Sequence, residues 1–108
     1  MLKELTNDNF QQEVIEAIGV VLVDFYAQWC APCKILAKTV EELSTEMEGT
    51  VKICKADVEE NSFAVKDLDI KGVPFVAVFK GGRMLRKHIG LRSKKDLKKD
   101  LEEVTSEG

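Results

Sequence analysis

The chain has 108 residues, 44% of them hydrophobic and 32% charged, with a net charge of −3; that is enough for one globular domain over residues 1–108, with a core that needs no disulfide staples. The longest apolar run, residues 20–27, is far too short to cross a bilayer, and Met1-Leu2-Lys3-Glu4 leads into polar sequence without an apolar leader, so a soluble, cytoplasmic protein is expected. Three cysteines with one close pair argue against a secreted disulfide framework and for redox or metal chemistry.

In chain order, residues 2–5 read as a short edge strand and Thr6-Asn7-Asp8-Asn9 as a helix-capping cluster. Phe10, Val14, Ala17 and Ile18 recur at helical spacing, which predicts a helix ended by Gly19. The next seven residues, Val20 to Tyr26, are almost continuously apolar and β-rich, as a central strand covered on both faces should be; Asp24 is the one charge in the run. Trp29-Cys30-Ala31-Pro32-Cys33-Lys34 follows at the point where strand hands over to helix. Pro32 suits a first helical turn, where its missing N–H costs nothing. Free backbone N–H groups and the positive end of the helix dipole then face Cys30, which makes its thiol easier to ionise, and the thiolate is the reactive form.

Ile35, Leu36, Val40, Leu43 and Met47 mark the buried side of a helix of about four turns that stops at Gly49. Residues 51–57 form a third strand interrupted by Lys52 and Lys55, and a short helix follows, capped by Asn61 or Ser62 and apolar at Phe63, Ala64 and Leu68. Gly72-Val73-Pro74 breaks the chain before an apolar strand at 75–79; Lys80-Gly81-Gly82-Arg83 is a hairpin signal into an antiparallel strand at 84–89, with Ile89 inward and His88 outward. Gly90 closes that strand, and Ser93-x-x-Asp96 starts a last helix with Leu97, Leu101 and Val104 facing in. The order βαβαβαββα predicts an α/β domain, a mixed five-stranded sheet flanked by four helices.

Residues 80–99 carry nine Lys or Arg and one acid, +8 against −11 for the remainder. Such a stripe can steer an acidic partner or a nucleic acid. Here no aromatic is interleaved, and Lys94, Lys95, Lys98 and Lys99 fall on the outer side of the last helix. A solvated face is the reading, with no nucleic-acid or membrane partner expected.

Val23-Asp24-Phe25-Tyr26-Ala27-Gln28-Trp29-Cys30-Ala31-Pro32-Cys33-Lys34, with Lys55-Ala56-Asp57, Gly72-Val73-Pro74-Phe75, Lys80-Gly81-Gly82 and Ile89-Gly90, resembles the thioredoxin family over nearly the whole chain. The resemblance implies the thioredoxin fold and a protein-disulfide reductase working by dithiol/disulfide exchange. It implies no bound cofactor, a reversible Cys30-Cys33 disulfide, disulfide-containing client proteins, and recharging by a flavin- and NADPH-dependent thioredoxin reductase. Three positions depart from the family pattern: Ala31 replaces a glycine, Lys38 a helix-kinking proline, and Phe75 a common threonine. Ala31 and Pro32 are expected to tune the redox balance; Gly to Ala is worth at most about 1 kcal/mol of helix propensity, equivalent to about 20 mV. Lys38 should leave its helix straighter, and Phe75 should place a ring beside the active face.

Cys30, preceding the helix, is expected to be the exposed nucleophile, and Cys33, one turn on, the resolving thiol. A half zinc site is the competing reading, but it needs two more ligands, and Cys54 and His88 do not stand at zinc spacing. Burial should raise the pKa of Asp24 and fit it to move a proton near neutral pH; the resemblance makes it the residue that assists deprotonation of Cys33. Lys55, expected inward on the next strand, matches the family lysine that tunes this carboxylate, and a purely structural Asp24–Lys55 ion pair is its alternative. The resemblance also implies a cis Val73-Pro74 bond and a substrate surface formed by Trp29, Pro32, Val73, Pro74, Gly90 and Leu91. Cys54 is expected in the core. A monomer is the default, and a disulfide oxidase or isomerase, or a non-catalytic binding module on the same fold, are the alternatives.

Overall fold

The computed structural model describes residues 2–107. Five strands, β1 (Leu2–Leu5), β2 (Val20–Tyr26), β3 (Val51–Asp57), β4 (Phe75–Lys80) and β5 (Arg83–Ile89), form one sheet in the order β1-β3-β2-β4-β5. The pairs β1–β3 and β2–β3 are parallel; β2–β4 and β4–β5 are antiparallel. Four helical segments flank it: a π-helical turn at Gln11–Ile15, α1 (Ala31–Glu46), α2 (Ser62–Asp67) and α3 (Lys94–Ser106). The mixed sheet and helix count match the sequence expectation.

Because side chains alternate along a strand, β2 feeds two cores. Val21, Val23 and Phe25 pack with Phe10, Val14, Ala64 and Phe79 on one face. Val20 and Leu22 pack on the other with Leu36, Val40 and Leu43 of α1 and Leu97, Leu101 and Val104 of α3. Asp24 belongs by parity to the second face, directly under the start of α1. Phe75, expected beside the active face, points the other way: it is buried edge-to-face against Phe25 at 6.0 Å between ring centroids. With Lys38 at the position of the kinking proline, α1 runs its 16 residues as one helix.

The first helical segment is shorter than its apolar spacing predicts. The N–H of Glu16 donates to Gln11 O at 2.9 Å, a five-residue step, and the segment stops there. Phe10 and Val14 are buried as expected, but Ala17 is only half-buried and Ile18 fully exposed, because both lie past the last helical turn. Ile35 and Ile89, expected inward, are likewise exposed, at 61% and 63%, as is the apolar Phe63 at 68%. Ile35 occupies the solvent side of α1, Phe63 opens the two-turn α2, and Ile89 ends the edge strand β5. Asn61 does precede α2, but its amide gives no cap; buried, it donates to Leu5 O at 3.0 Å and Asp57 O at 2.8 Å and ties β1 to the end of β3. Ser93 caps α3 as expected, accepting the N–H of Asp96 at 3.1 Å.

Gly81 and Gly82 both have positive φ, 62° and 77°, as the tight β4–β5 turn requires. A Cβ at Gly82 would stand 2.6 Å from the carbonyl oxygen of Ile15. Gly82→Ala should therefore lose about 2 kcal/mol or more from left-handed strain and a backbone collision together. Urea unfolding should show a lower midpoint at constant slope, with Gly81→Ala, which meets nothing within 4 Å, losing less.

The basic segment is matched in part from within. Lys80 donates to Val104 O at 3.1 Å, Thr105 O at 3.4 Å and Glu107 O at the C-terminus of α3, where the helix dipole favours a cation. Arg86 pairs with Glu107 at 2.9 Å and Arg92 grips Asp100 with two bonds of 2.7 and 2.9 Å. Lys94 and Lys98 lie at 2.7 and 2.6 Å from Glu46 of α1, and their hydrogen bonds push that carboxyl down to about 2. Two of the four lysines expected to meet only water thus fasten α3 to α1.

Candidate active site

The two cysteines meet at the N-terminus of α1, joined as a disulfide with their Cα atoms 5.3 Å apart. Cys30 is the N-cap residue, with extended backbone (φ −96°, ψ 109°), and its Sγ accepts the N–H of Cys33 at 3.2 Å. Pro32 lies exposed in the first turn, where it removes no hydrogen bond the helix needs, and Ala31 beside it is exposed too. The loop before the helix is held by two backbone bonds, Cys30 N–H to Ala27 O at 3.2 Å and Val58 N–H to Tyr26 O at 2.9 Å, and by the Gln28 amide donating to Asp57 at 3.0 Å.

One expectation needs correcting: Cys30 is not the exposed partner. In the disulfide it is 5% exposed and Cys33 3%, since both pack with Ala27 against Tyr26, Val58 and Val73. Exposure therefore does not tell the two sulfurs apart. Position does, because only Cys30 sits at the helix cap and receives a backbone N–H.

Asp24 lies below, in the middle of β2 between Lys55 of β3 and Val76 of β4. It is 2% exposed and its Oδ1 has no hydrogen-bond partner among the described residues. Burial pushes its carboxyl up to about 7, against the pull of Lys55 and helped by the negative charge of Glu4. A cavity of about 140 Å³ joins this carboxyl to Cys33; Asp24, Cys33, Lys34, Tyr26, Ala37 and Lys55 are among its walls.

Lys55 lines that cavity, but its ammonium is not inward as expected. Its side chain is 40% exposed and its ammonium bonds Glu4 at 3.4 Å, because β1 pairs outside β3 and places Glu4 opposite it. The alternative of a structural Asp24–Lys55 ion pair is thereby replaced by a Glu4–Lys55 pair.

Trp29 stands 73% exposed beside the disulfide. Val73-Pro74 is a cis peptide bond as expected, with Val73 half-buried against the cysteines. Pro74, expected on an open surface, is buried, and its carbonyl accepts the N–H of Gly90 at 2.8 Å. Gly90 is half-buried and Leu91 exposed. Sequence reading missed Ile35 and Ile89 as exposed apolar residues, and missed Glu4, Tyr26 and Lys34 around the carboxyl. Only the strand register, not local spacing, brings Glu4 there.

Among the described residues no three His, Cys, Asp or Glu side chains converge to hold a metal ion, and no helix is long and apolar enough to cross a membrane. A disulfide of three-residue separation at a helix cap, with a buried carboxyl sharing its cavity, places the molecule in the class of thiol-disulfide oxidoreductases. The thioredoxin family model matches residues 1–103. Thioredoxins from Buchnera aphidicola subsp. Schizaphis graminum and from Rickettsia felis are 42% and 38% identical to it, over 93% of both chains in the first case and 90% of this chain and 92% of the relative in the second. The thioredoxin of Pseudomonas aeruginosa is 36% identical over 86% of each. The chain belongs to the thioredoxin family, and it is a protein-disulfide reductase that works by thiol-disulfide exchange through Cys30 and Cys33.

Proposed function

We propose the following division of labour for that exchange. In the reduced protein Cys30 is the nucleophile: its thiolate attacks one sulfur of a client disulfide, forms a mixed disulfide and releases the other client sulfur as a thiolate that takes up a proton. Cys33 then loses its proton and attacks Cys30 Sγ, which breaks the mixed disulfide, frees the second client thiolate and restores the Cys30–Cys33 bond. Two electrons pass from the protein to the client. The N-cap position of Cys30, with the Cys33 N–H on its sulfur, supports its assignment as the stabilised thiolate.

Asp24 accepts the Cys33 proton, and Lys55 adjusts how readily it does so. The observation that carries this reading is the shared cavity, which gives a buried carboxyl lifted to about 7 a path to Cys33. A carboxylate can take a proton only when ionised, so the resolving step should quicken as pH rises through 7. Trp29, Val73, Gly90 and Leu91, with Pro32, form the rim that meets the client, Val73 offering its backbone to an extended segment; Pro74 supports that rim from beneath. Ala31 and Pro32 set the balance between the dithiol and disulfide states.

The clients are disulfide-bearing proteins, and the dithiol is restored by a flavin- and NADPH-dependent thioredoxin reductase. The chain acts as a single domain, monomeric and cytoplasmic, without a bound cofactor. Reduction of insulin disulfides with NADPH and such a reductase tests the whole reading: steady turnover is expected, and no NADPH consumption above the reductase alone would overturn it.

A further inference from the structure

The sheet register aligns three charged residues in one row. Glu4 of β1 stands opposite Lys55 of β3, and Lys55 opposite Asp24 of β2. The side chains share the face under α1, and Lys55 lies between the two acids. Its ammonium is committed to one of them: it bonds Glu4 Oε1 at 3.4 Å, while Tyr26 donates its hydroxyl to Glu4 Oε2 at 3.0 Å and Lys55 lies 5.6 Å from the centre of the Tyr26 ring. Glu4, Lys55 and Tyr26 so close the outer end of the row, and at the inner end Asp24 keeps an oxygen that has no hydrogen-bond partner among the described residues. Lys55, Tyr26 and Asp24 all line one cavity, so the ammonium has open space toward Asp24.

We propose that Glu4 is a positioning residue for disulfide exchange: by holding Lys55 at the outer end of the row it keeps the ammonium off Asp24, leaving the buried carboxyl able to hold the proton that the exchange uses. The inference rests on Asp24 serving the Cys33 proton. The elevated proton affinity of Asp24, with Lys55 opposing it and Glu4 reinforcing it, agrees with this arrangement. The other groups facing Asp24 are Cys33, Lys34 and Glu41 of α1, which line the cavity, and the apolar Val76 of β4, beyond which His88 of β5 pairs.

Glu4→Gln tests it. The amide keeps an oxygen for the Tyr26 hydroxyl and removes only the charge that binds Lys55, at a site whose side chain is 46% exposed. The Asp24 carboxyl is followed by 13C NMR in the oxidised protein, in wild type, Glu4→Gln, Lys55→Met and the double variant. Glu4→Gln should lower the Asp24 midpoint by about one pH unit, the smaller end of what a cation at ion-pair distance achieves. In the Lys55→Met background the same change should move it by less than half as much. No shift, an upward shift, or an equal shift in both backgrounds would overturn the proposal, the last because Glu4 would then act by its direct field alone. A second readout separates this from the reading beneath it. The pH profile of insulin reduction should move down with the carboxyl; if the carboxyl moves and the profile does not, Asp24 is not the proton acceptor, although Glu4 still governs its titration.

Discussion

A Cys33→Ser variant in its reduced form should stop after one attack, accumulating a covalent adduct between Cys30 and the client, while steady-state reduction falls on the order of 10³-fold or more, as when one member of a catalytic unit is removed. Intact-mass measurement after mixing with a disulfide substrate reads the adduct directly, and dithiothreitol should release it. Cys30→Ser should be equally inactive but form no stable adduct. The comparison matters because the two sulfurs are almost equally shielded, at 5% and 3% exposure, so access does not choose the attacker. The choice falls to the helix cap, where Cys30 alone receives a backbone N–H. An adduct that forms through Cys33 in the Cys30→Ser protein, as fast as through Cys30 in its counterpart, would reverse the assignment.

Asp24→Asn should make the oxidised protein more stable at pH 8 and less active. The native state holds a proton on Asp24 up to about 7, whereas the ordinary value is 3.8. Between those values the folded chain binds more protons than the unfolded one, so this carboxyl makes stability fall as pH rises, and above 7 its full cost is present. A difference of about 3 pH units corresponds to about 4 kcal/mol. Asparagine removes the charge but leaves polar atoms in the same unpartnered place, which reduces the net gain to about 3 kcal/mol. Urea unfolding at pH 8 should show that gain and at pH 4 none or a small loss; an equal gain at both would mean that ionisation is not its source. In insulin reduction, the variant should lose the rise in rate through pH 7.

Much of this site could be read from the sequence because its parts are local. Cys30, Pro32 and Cys33 lie within one turn, and a strand as apolar as β2 leaves Asp24 no exposed face to occupy. The strands, hairpin and last helix follow from alternation, Gly81-Gly82 and the Ser93 cap. The failures have one physical origin: spacing reports periodicity but not what lies opposite. Ile18 and Phe63 fit a helical stripe, yet one falls past the helix end and the other on a two-turn helix too short to bury it. Lys55 is placed inward by its match to the family lysine, and only the parallel pairing of β1 outside β3 supplies Glu4 to draw its ammonium outward. The charge excess at 80–99 is met in part for the same reason, since the acids that pair with Arg86, Arg92, Lys94 and Lys98 come from α1 and from the middle and C-terminal end of α3.

The third cysteine sets a limit on where electrons can go. Cys54 is 0% exposed in β3, and burial lifts its thiol to about 12, so at neutral pH it is neither ionised nor reachable. The folded chain thus has a single two-electron store. An oxidant that empties it should find no spare sulfur with which to cross-link copies or rearrange the pair, and repeated cycling should yield one oxidised species of unchanged mass, migrating as one band without a reducing agent.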